Sequence, residues 1–184
     1  MTYHSGKGLV DPRLLLSKAQ VREGMHIADL GCGVAGHVVF PASKLVRDRG
    51  IVYAVDILKN SLSLIEKRAR IENALNIHTV WSDIERKGGI MIPAASLDVA
   101  FLVNVLFHME RPDTVLDEVS RILKDKGRMV IVDWKDSTLS IAPKPERLVD
   151  FPAIESWARE HGYTIQERFT MGNHHRGIIL YRHA

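Results

Sequence analysis

Apolar positions along the chain fall into short runs separated by stretches with helical spacing. Asp11 followed by Pro12 reads as an N-cap and a first-turn proline, opening a short helix through RLLLSKA that ends before Glu23-Gly24. Met25 to Leu30 is the first strand. VVFPASKLVRDRG predicts a helix from Gly36 to near Gly50, and IVYAVDI, residues 51 to 57, is a β-branched run too apolar to have a wet face. Asn60 and Ser61 stand where they would cap a helix through SLIEKRARIENA, and IHTVWSD, residues 77 to 83, is the third strand. ERKGGIMIPAAS reads as a loop or short helix, and LDVAFLVN, residues 97 to 104, as the fourth strand. Thr114 and Asp117 have the spacing of a capping box, after which Val115, Val119, Ile122 and Leu123 keep helical spacing up to Gly127. Arg128 to Trp134 is the fifth strand.

Strands alternating with helices imply right-handed crossovers and a parallel sheet covered on both faces. The tail breaks that alternation. After a helix from Pro152 to His161, the runs 163–170 and 177–183 flank MGNHHR with no helix between them, so one strand runs antiparallel to the rest.

Composition narrows the class. The 184 residues fit a single domain over 1–184, with 46% hydrophobic and 26% charged residues, and no apolar run reaches the roughly 18 residues of a membrane span. The opening MTYHSGKG lacks the apolar core of a signal peptide. The single cysteine, Cys32, has no disulfide partner within the chain, so a cytoplasmic setting is expected. A formal charge of +3 is too mild to call for a nucleic-acid partner. The basic last strands read as protection of a sheet edge, and a monomer or homodimer is expected. His174 and His175 are adjacent in a predicted turn and the other histidines lack ligand spacing, so no metal site is expected.

The chemistry concentrates in DLGCGVAGH, residues 29 to 37. Gly31-x-Gly33-x-x-Gly36 is the spacing that cradles a dinucleotide pyrophosphate, at the strand end where open parallel sheets bind ligands. Asp29 argues against that ligand. A carboxylate about 4 Å from a pyrophosphate would cost about 4 kcal/mol at an effective dielectric of 20, whereas it attracts an ammonium or a sulfonium. S-adenosylmethionine carries both cations.

Ile27-ADLGCG resembles the first motif of class I S-adenosylmethionine-dependent methyltransferases, in particular the broad group that includes the quinone-biosynthesis and arsenite enzymes. The resemblance implies an α/β, Rossmann-like, doubly wound sheet of seven mostly parallel strands in the order 3-2-1-4-5-7-6, with helices on both faces. It also implies site residues. Asp29 and the loop residues Gly31, Cys32, Gly33 and Gly36 meet the methionine part of the cofactor, Cys32 serving as small packing. With Ala35 before Gly36, the loop is one residue longer than the family's usual pattern. Asp56, followed by Ile57, takes the ribose hydroxyls; Ser82, Asp83 and Ile84 meet the adenine; Asn104 lines the pocket beneath the sulfonium.

Methyl transfer by in-line displacement needs no covalent enzyme intermediate and no metal, and a base only if the nucleophile arrives protonated. His108, His37 and Asp133 are the candidate catalytic groups. The acceptor is expected to be a small molecule, since Asn104-Val105-Leu106-Phe107 lacks the Asn-Pro-Pro-aromatic motif of amino-methylating relatives and no cysteine set is present. The N-terminal segment 1–20, with Tyr3 and His4 as contacts and Ser5-Gly6-Lys7-Gly8 as a hinge, and the segment 134–150 are expected to close over the acceptor. Two other classes share some of these features: a nicotinamide-dependent oxidoreductase, which leaves Asp29 and Asp83 unexplained, and a cofactor-binding protein without transfer activity.

Overall fold

The computed structural model describes residues 9–183. It contains five α-helices among those residues, α1 (Pro12–Lys18), α2 (Val39–Val46), α3 (Lys59–Ile71), α4 (Pro112–Ile122) and α5 (Phe151–Glu160). Seven strands, β1 (His26–Leu30), β2 (Ile51–Asp56), β3 (Ile77–Trp81), β4 (Leu97–Val103), β5 (Leu123–Trp134), β6 (Tyr163–Met171) and β7 (His175–Arg182), form one sheet in the order β3-β2-β1-β4-β5-β7-β6. The order and the single reversed strand, β7, are those implied by the sequence. No helix among the described residues is long and apolar enough to cross a membrane.

The pleat sorts the strand side chains into two cores. Ile27, Val99, Phe101, Val130, Val132 and Ile179 pack against α1, α2 and α3. Ala28, Ala100, Leu102, Met129, Ile131 and Leu180 pack against α4 and α5 on the other face. This double burial is why the central strands read as unbroken apolar runs. Each parallel crossover returns the chain to the same edge, so the ends of β1, β2 and β4 open side by side, and Asp29 lies level with Ala54 and Phe101.

Several boundaries differ from the sequence expectations, each for a local physical reason. Asn60 and Ser61 lie inside α3, which has Leu58 at its N-cap position and no side-chain cap; the Leu58 N–H donates to Asp56 Oδ1 at 2.8 Å. The chain from Gly36 to Val38 is a turn before α2 begins at Val39. Thr114 and Asp117 form no capping box, because α4 already starts at Pro112. Leu123 fits the apolar stripe of α4 yet starts β5, pairing with Leu97, and the register jump to Val99–Arg128 accommodates Lys126 at φ +63°. His175 belongs to β7 and not to the preceding turn.

Glu118 is a structural charge that the pattern did not reveal. Only 2% exposed, it accepts the amides of Gly88 (3.0 Å) and Ile90 (3.0 Å) and pairs with Arg121 at 2.6 Å. Burial pushes its pKa up, but Arg121 and the two amides outweigh that and hold it low. Through it, α4 anchors the loop that follows β3.

Candidate functional site

The glycine loop is built by its own backbone. Gly31 and Cys32 both donate to the carbonyl of Val55, at 2.8 and 3.0 Å, which folds the loop over the end of β2. Gly31 has φ +79°, and a Cβ there would sit 2.5 Å from Val105 Cγ2. Gly33, at φ +60°, differs: a Cβ would meet nothing within 4 Å, so its bare backbone borders open space. A left-handed residue with no neighbour is what a closely approaching ligand requires. Gly36 packs on Ile65 and Phe40 and has a structural role. Cys32 is buried, and burial, followed by the charges of Asp29 and Asp56, pushes its thiol far up, so it remains neutral packing.

Asp29 is 4% exposed at the end of β1 and borders a cavity of about 160 Å³ lined also by Val10, Cys32, His37, Val103 and Asn104. Burial, and then the neighbouring charge of Asp56, raises its pKa from 3.8 to about 7. A buried carboxylate in that setting gains from a nearby cation, which favours its charged form. Asn104, which also lines the cavity, is held at φ +53° by its amide bond to the Val132 carbonyl (2.8 Å), and its side-chain Oδ1 is buried without a partner among the described residues. A larger cavity of about 880 Å³ lies outside the loop, between α1 and α2, lined by Arg13, Lys44 and Arg68; it touches neither Asp29, Asp56 nor Asn104.

Asp56 is 8% exposed, and both its oxygens are used by the loop: Oδ2 accepts from Gly33 N at 2.9 Å and Oδ1 from Leu58 N at 2.8 Å. Each oxygen keeps a further lone pair. Ile57 is 57% exposed beside it, its carbonyl accepting from the Trp81 indole at 2.9 Å. Ser82 is buried, with its amide on the Asp56 carbonyl (3.1 Å), and Ile84 is buried beneath. Asp83 is exposed, and its Oδ1 accepts the Glu85 amide at 3.0 Å, so it also shapes the turn.

The three catalytic candidates stand in different settings. His37 lines the cavity, and its Nε2 donates to the Val10 carbonyl at 2.7 Å, pinning the segment before α1 to the loop. His108 is exposed in a 3-10 turn, Leu106–His108, its ring against Phe107; burial and then Arg147 lower its pKa. Asp133 is fully buried beneath that turn. Burial raises its pKa to about 6 against the pull of nearby amides, of which the Trp134 N–H is hydrogen-bonded to it, on Oδ1 at 2.9 Å. The structure therefore brings His37, Asp29 and Asn104 together and leaves Asp133 without access to the cavity.

The family model described as a methyltransferase domain matches residues 21–171. The chain belongs to the methyltransferase domain family. Membership of a methyltransferase family sets the nicotinamide-dependent oxidoreductase reading aside. Its fold superposes on an S-adenosylmethionine-dependent methyltransferase of Aquifex aeolicus with TM-score 0.85 at 22% identity, covering 97% of this chain and 93% of that one. Methyltransferase GfsG of Streptomyces halstedii is 28% identical over 65% of this chain and 41% of its own length. The (+)-O-methylkolavelool synthase of Herpetosiphon aurantiacus is 26% identical over 82% of this chain and 51% of its own length. The chain thus spans about half or less of the curated relatives it matches.

Beyond the expected residues, the methyltransferase domain holds one buried group that the sequence reading assigned to a turn. His175 is 0% exposed, with neither ring nitrogen bonded among the described residues and its ring 4.3 Å from that of Trp134. Its neighbours in sequence are polar or basic, so no hydrophobic pattern marks it as interior. Tyr3, His4 and the Ser5–Gly8 hinge lie outside the described residues.

Proposed function

We propose that the chain, acting as one domain over 1–184, transfers a methyl group from S-adenosylmethionine to a small-molecule acceptor. The observation that carries this reading is Asp29, a buried carboxylate that lines one cavity together with Asn104, whose Oδ1 has no partner among the described residues. When bound, S-adenosylmethionine supplies an electrophilic methyl group with a neutral thioether as leaving group, so in-line displacement requires no covalent enzyme intermediate. In this reading Asp29 holds the cationic methionine end, and the bare backbone at Gly33 lets the cofactor approach. Asp56 accepts the ribose hydroxyls on its spare lone pairs, next to Ile57. Ser82, Asp83 and Ile84 border the adenine.

The chain's contribution to rate is orientation and dryness. Asn104 Oδ1 is positioned to accept from the reacting centre or from an acceptor N–H or O–H. His37 carries its proton on the nitrogen that faces Val10, and so works as a positioning residue for the loop. Asp133 likewise positions the turn that carries His108, and His108, open to solvent and low in pKa, is the group able to take a proton from the acceptor. The segment 134–150 forms the acceptor-side wall.

The test is S-adenosylhomocysteine formation from S-adenosylmethionine in the presence of pooled phenols, amines, carboxylic acids, thiols and arsenite. Turnover with at least one pool, abolished by Asp29→Ala, is expected. Tight binding of S-adenosylmethionine with no turnover in any pool would make the chain a cofactor-binding protein instead.

A further inference from the structure

The buried side-chain polar atoms that lack a hydrogen-bond partner among the described residues gather in one corner: Asn104 Oδ1, Asp133 Oδ2, Ser137 Oγ, both ring nitrogens of His175, and Arg176 Nε. Asn104 follows β4, Asp133 lies at the end of β5 with Ser137 in the loop just beyond it, and His175 and Arg176 open β7. Interiors leave few such atoms, and a cluster of them calls for a bound partner.

The pleat divides the cluster. Val130 and Val132 face the α1–α3 side, so Trp134 follows them there, and His175 lies opposite Trp134 in the ladder on that same side. Asp133 and Arg176 occupy the other face, where Arg176 donates to the Val149 carbonyl at 3.1 Å and covers the Phe151 ring. Val103, which lines the cavity with Asp29, shares the face of Trp134 and His175. From Asn104, after β4, the row passes Trp134 on β5 and reaches His175 on β7. Two strand spacings separate its ends, a span of about 10 Å.

We propose that Trp134 and His175 form the far end of the acceptor site. They would take a small molecule with a flat apolar body against Trp134 and an uncharged hydroxyl or carbonyl group at His175, about 10 Å from the atom methylated beside Asn104. The proposal rests on the methyl-transfer reading above and adds the class of acceptor. A neutral imidazole offers one donor and one acceptor, which matches a hydroxyl. Burial, and then the neighbouring His174, hold the His175 ring neutral by lowering its pKa to about 4. The Arg176 guanidinium is on the opposite face, so a phosphate or carboxylate at His175 would be desolvated without a counter-charge.

The test uses the full chain loaded with S-adenosylhomocysteine and two probes: p,p′-biphenol, whose oxygens match the span, and p-phenylphenol, which lacks the second hydroxyl. Calorimetry should show p,p′-biphenol binding about tenfold tighter to the wild type. His175→Phe should erase that preference while leaving S-adenosylhomocysteine affinity unchanged, and His175→Gln, which keeps a donor and an acceptor, should retain part of it. Because His175→Phe removes unpaired buried polar atoms, the ligand-free variant should also melt at a higher temperature than the wild type. Equal affinity for the two probes, no binding of either, or a preference that survives in His175→Phe overturns the proposal. A lowered melting temperature would mark the imidazole as structural and overturn it too. Failure of the wild type to bind S-adenosylhomocysteine would instead overturn the methyl-transfer reading.

Discussion

Asp56 and Gly33 are bonded across the site: the Asp56 Oδ2 atom accepts the Gly33 amide at 2.9 Å, tying the end of β2 to the glycine loop. The same carboxylate shapes the loop and, in the proposed function, also takes the ribose hydroxyls. Asp56→Asn should weaken S-adenosylhomocysteine binding at least tenfold, since each charge-assisted hydrogen bond lost contributes about 1.5–3 kcal/mol. Calorimetry reads the affinity, and hydrogen exchange should show the Gly33 amide exchanging faster. Unchanged affinity in a folded variant would remove Asp56 from the site.

Asp29 sets a pH dependence whose direction follows from its pKa, raised from 3.8 to about 7 by burial and then by Asp56. The folded protein keeps a proton that the unfolded chain releases, so this group's contribution to stability falls as pH rises through the window between those values. A cationic ligand favours the ionised form. Affinity for S-adenosylmethionine should therefore rise with pH and level off above about 7, with proton release on binding near neutrality. Asp29→Asn should flatten both profiles, melt higher than the wild type in mildly alkaline buffer, and bind the cofactor more weakly.

Much of this was legible in the sequence because the signals are local. The apolar runs of β1, β2 and β4 and the acids at their ends are short-range features, and the hairpin followed from a missing helix. What the pattern missed depends on contacts between distant residues. Leu123 continues the stripe of α4, yet pairing with Leu97 recruits it to β5. Asn60 and Ser61 are good caps, yet α3 already starts at Lys59 without a side-chain cap, because Asp56 holds the N–H of Leu58 just before it. Glu118 and His175 are buried polar residues, and burial of a polar group leaves no periodicity in the sequence around it. Asp133, expected at the open end because it nears the end of a strand, faces the turn below it, since the pleat puts alternate residues on opposite sides.

Gly33→Ala separates conformation from contact. The left-handed backbone should cost roughly 1 kcal/mol of stability, and no neighbour obstructs the added methyl in the ligand-free protein. The larger effect should be on the cofactor, whose approach the methyl would obstruct. A variant with near-normal melting and at least about tenfold weaker S-adenosylhomocysteine binding is expected; the reverse pattern would make Gly33 purely a folding residue.

Glu118→Gln should destabilise without touching the site's chemistry. Removing the charge between Arg121 and the amides of Gly88 and Ile90 should cost about 2 kcal/mol, less than a fully buried pair because Arg121 is partly exposed. Urea unfolding measures this, and a loss confined to the loop after β3 would appear as faster exchange at Gly88 and Ile90.

In the proposed function the glycine loop and Asp29 serve a cationic methionine end and not a pyrophosphate. Titration calorimetry of the wild type with S-adenosylmethionine and with NAD, in the same buffer, tests it most directly. One-to-one binding of S-adenosylmethionine that weakens in Asp29→Asn, with no heat from NAD, is the predicted result. Binding of NAD that strengthens in Asp29→Asn, with no binding of S-adenosylmethionine by the wild type, would contradict it.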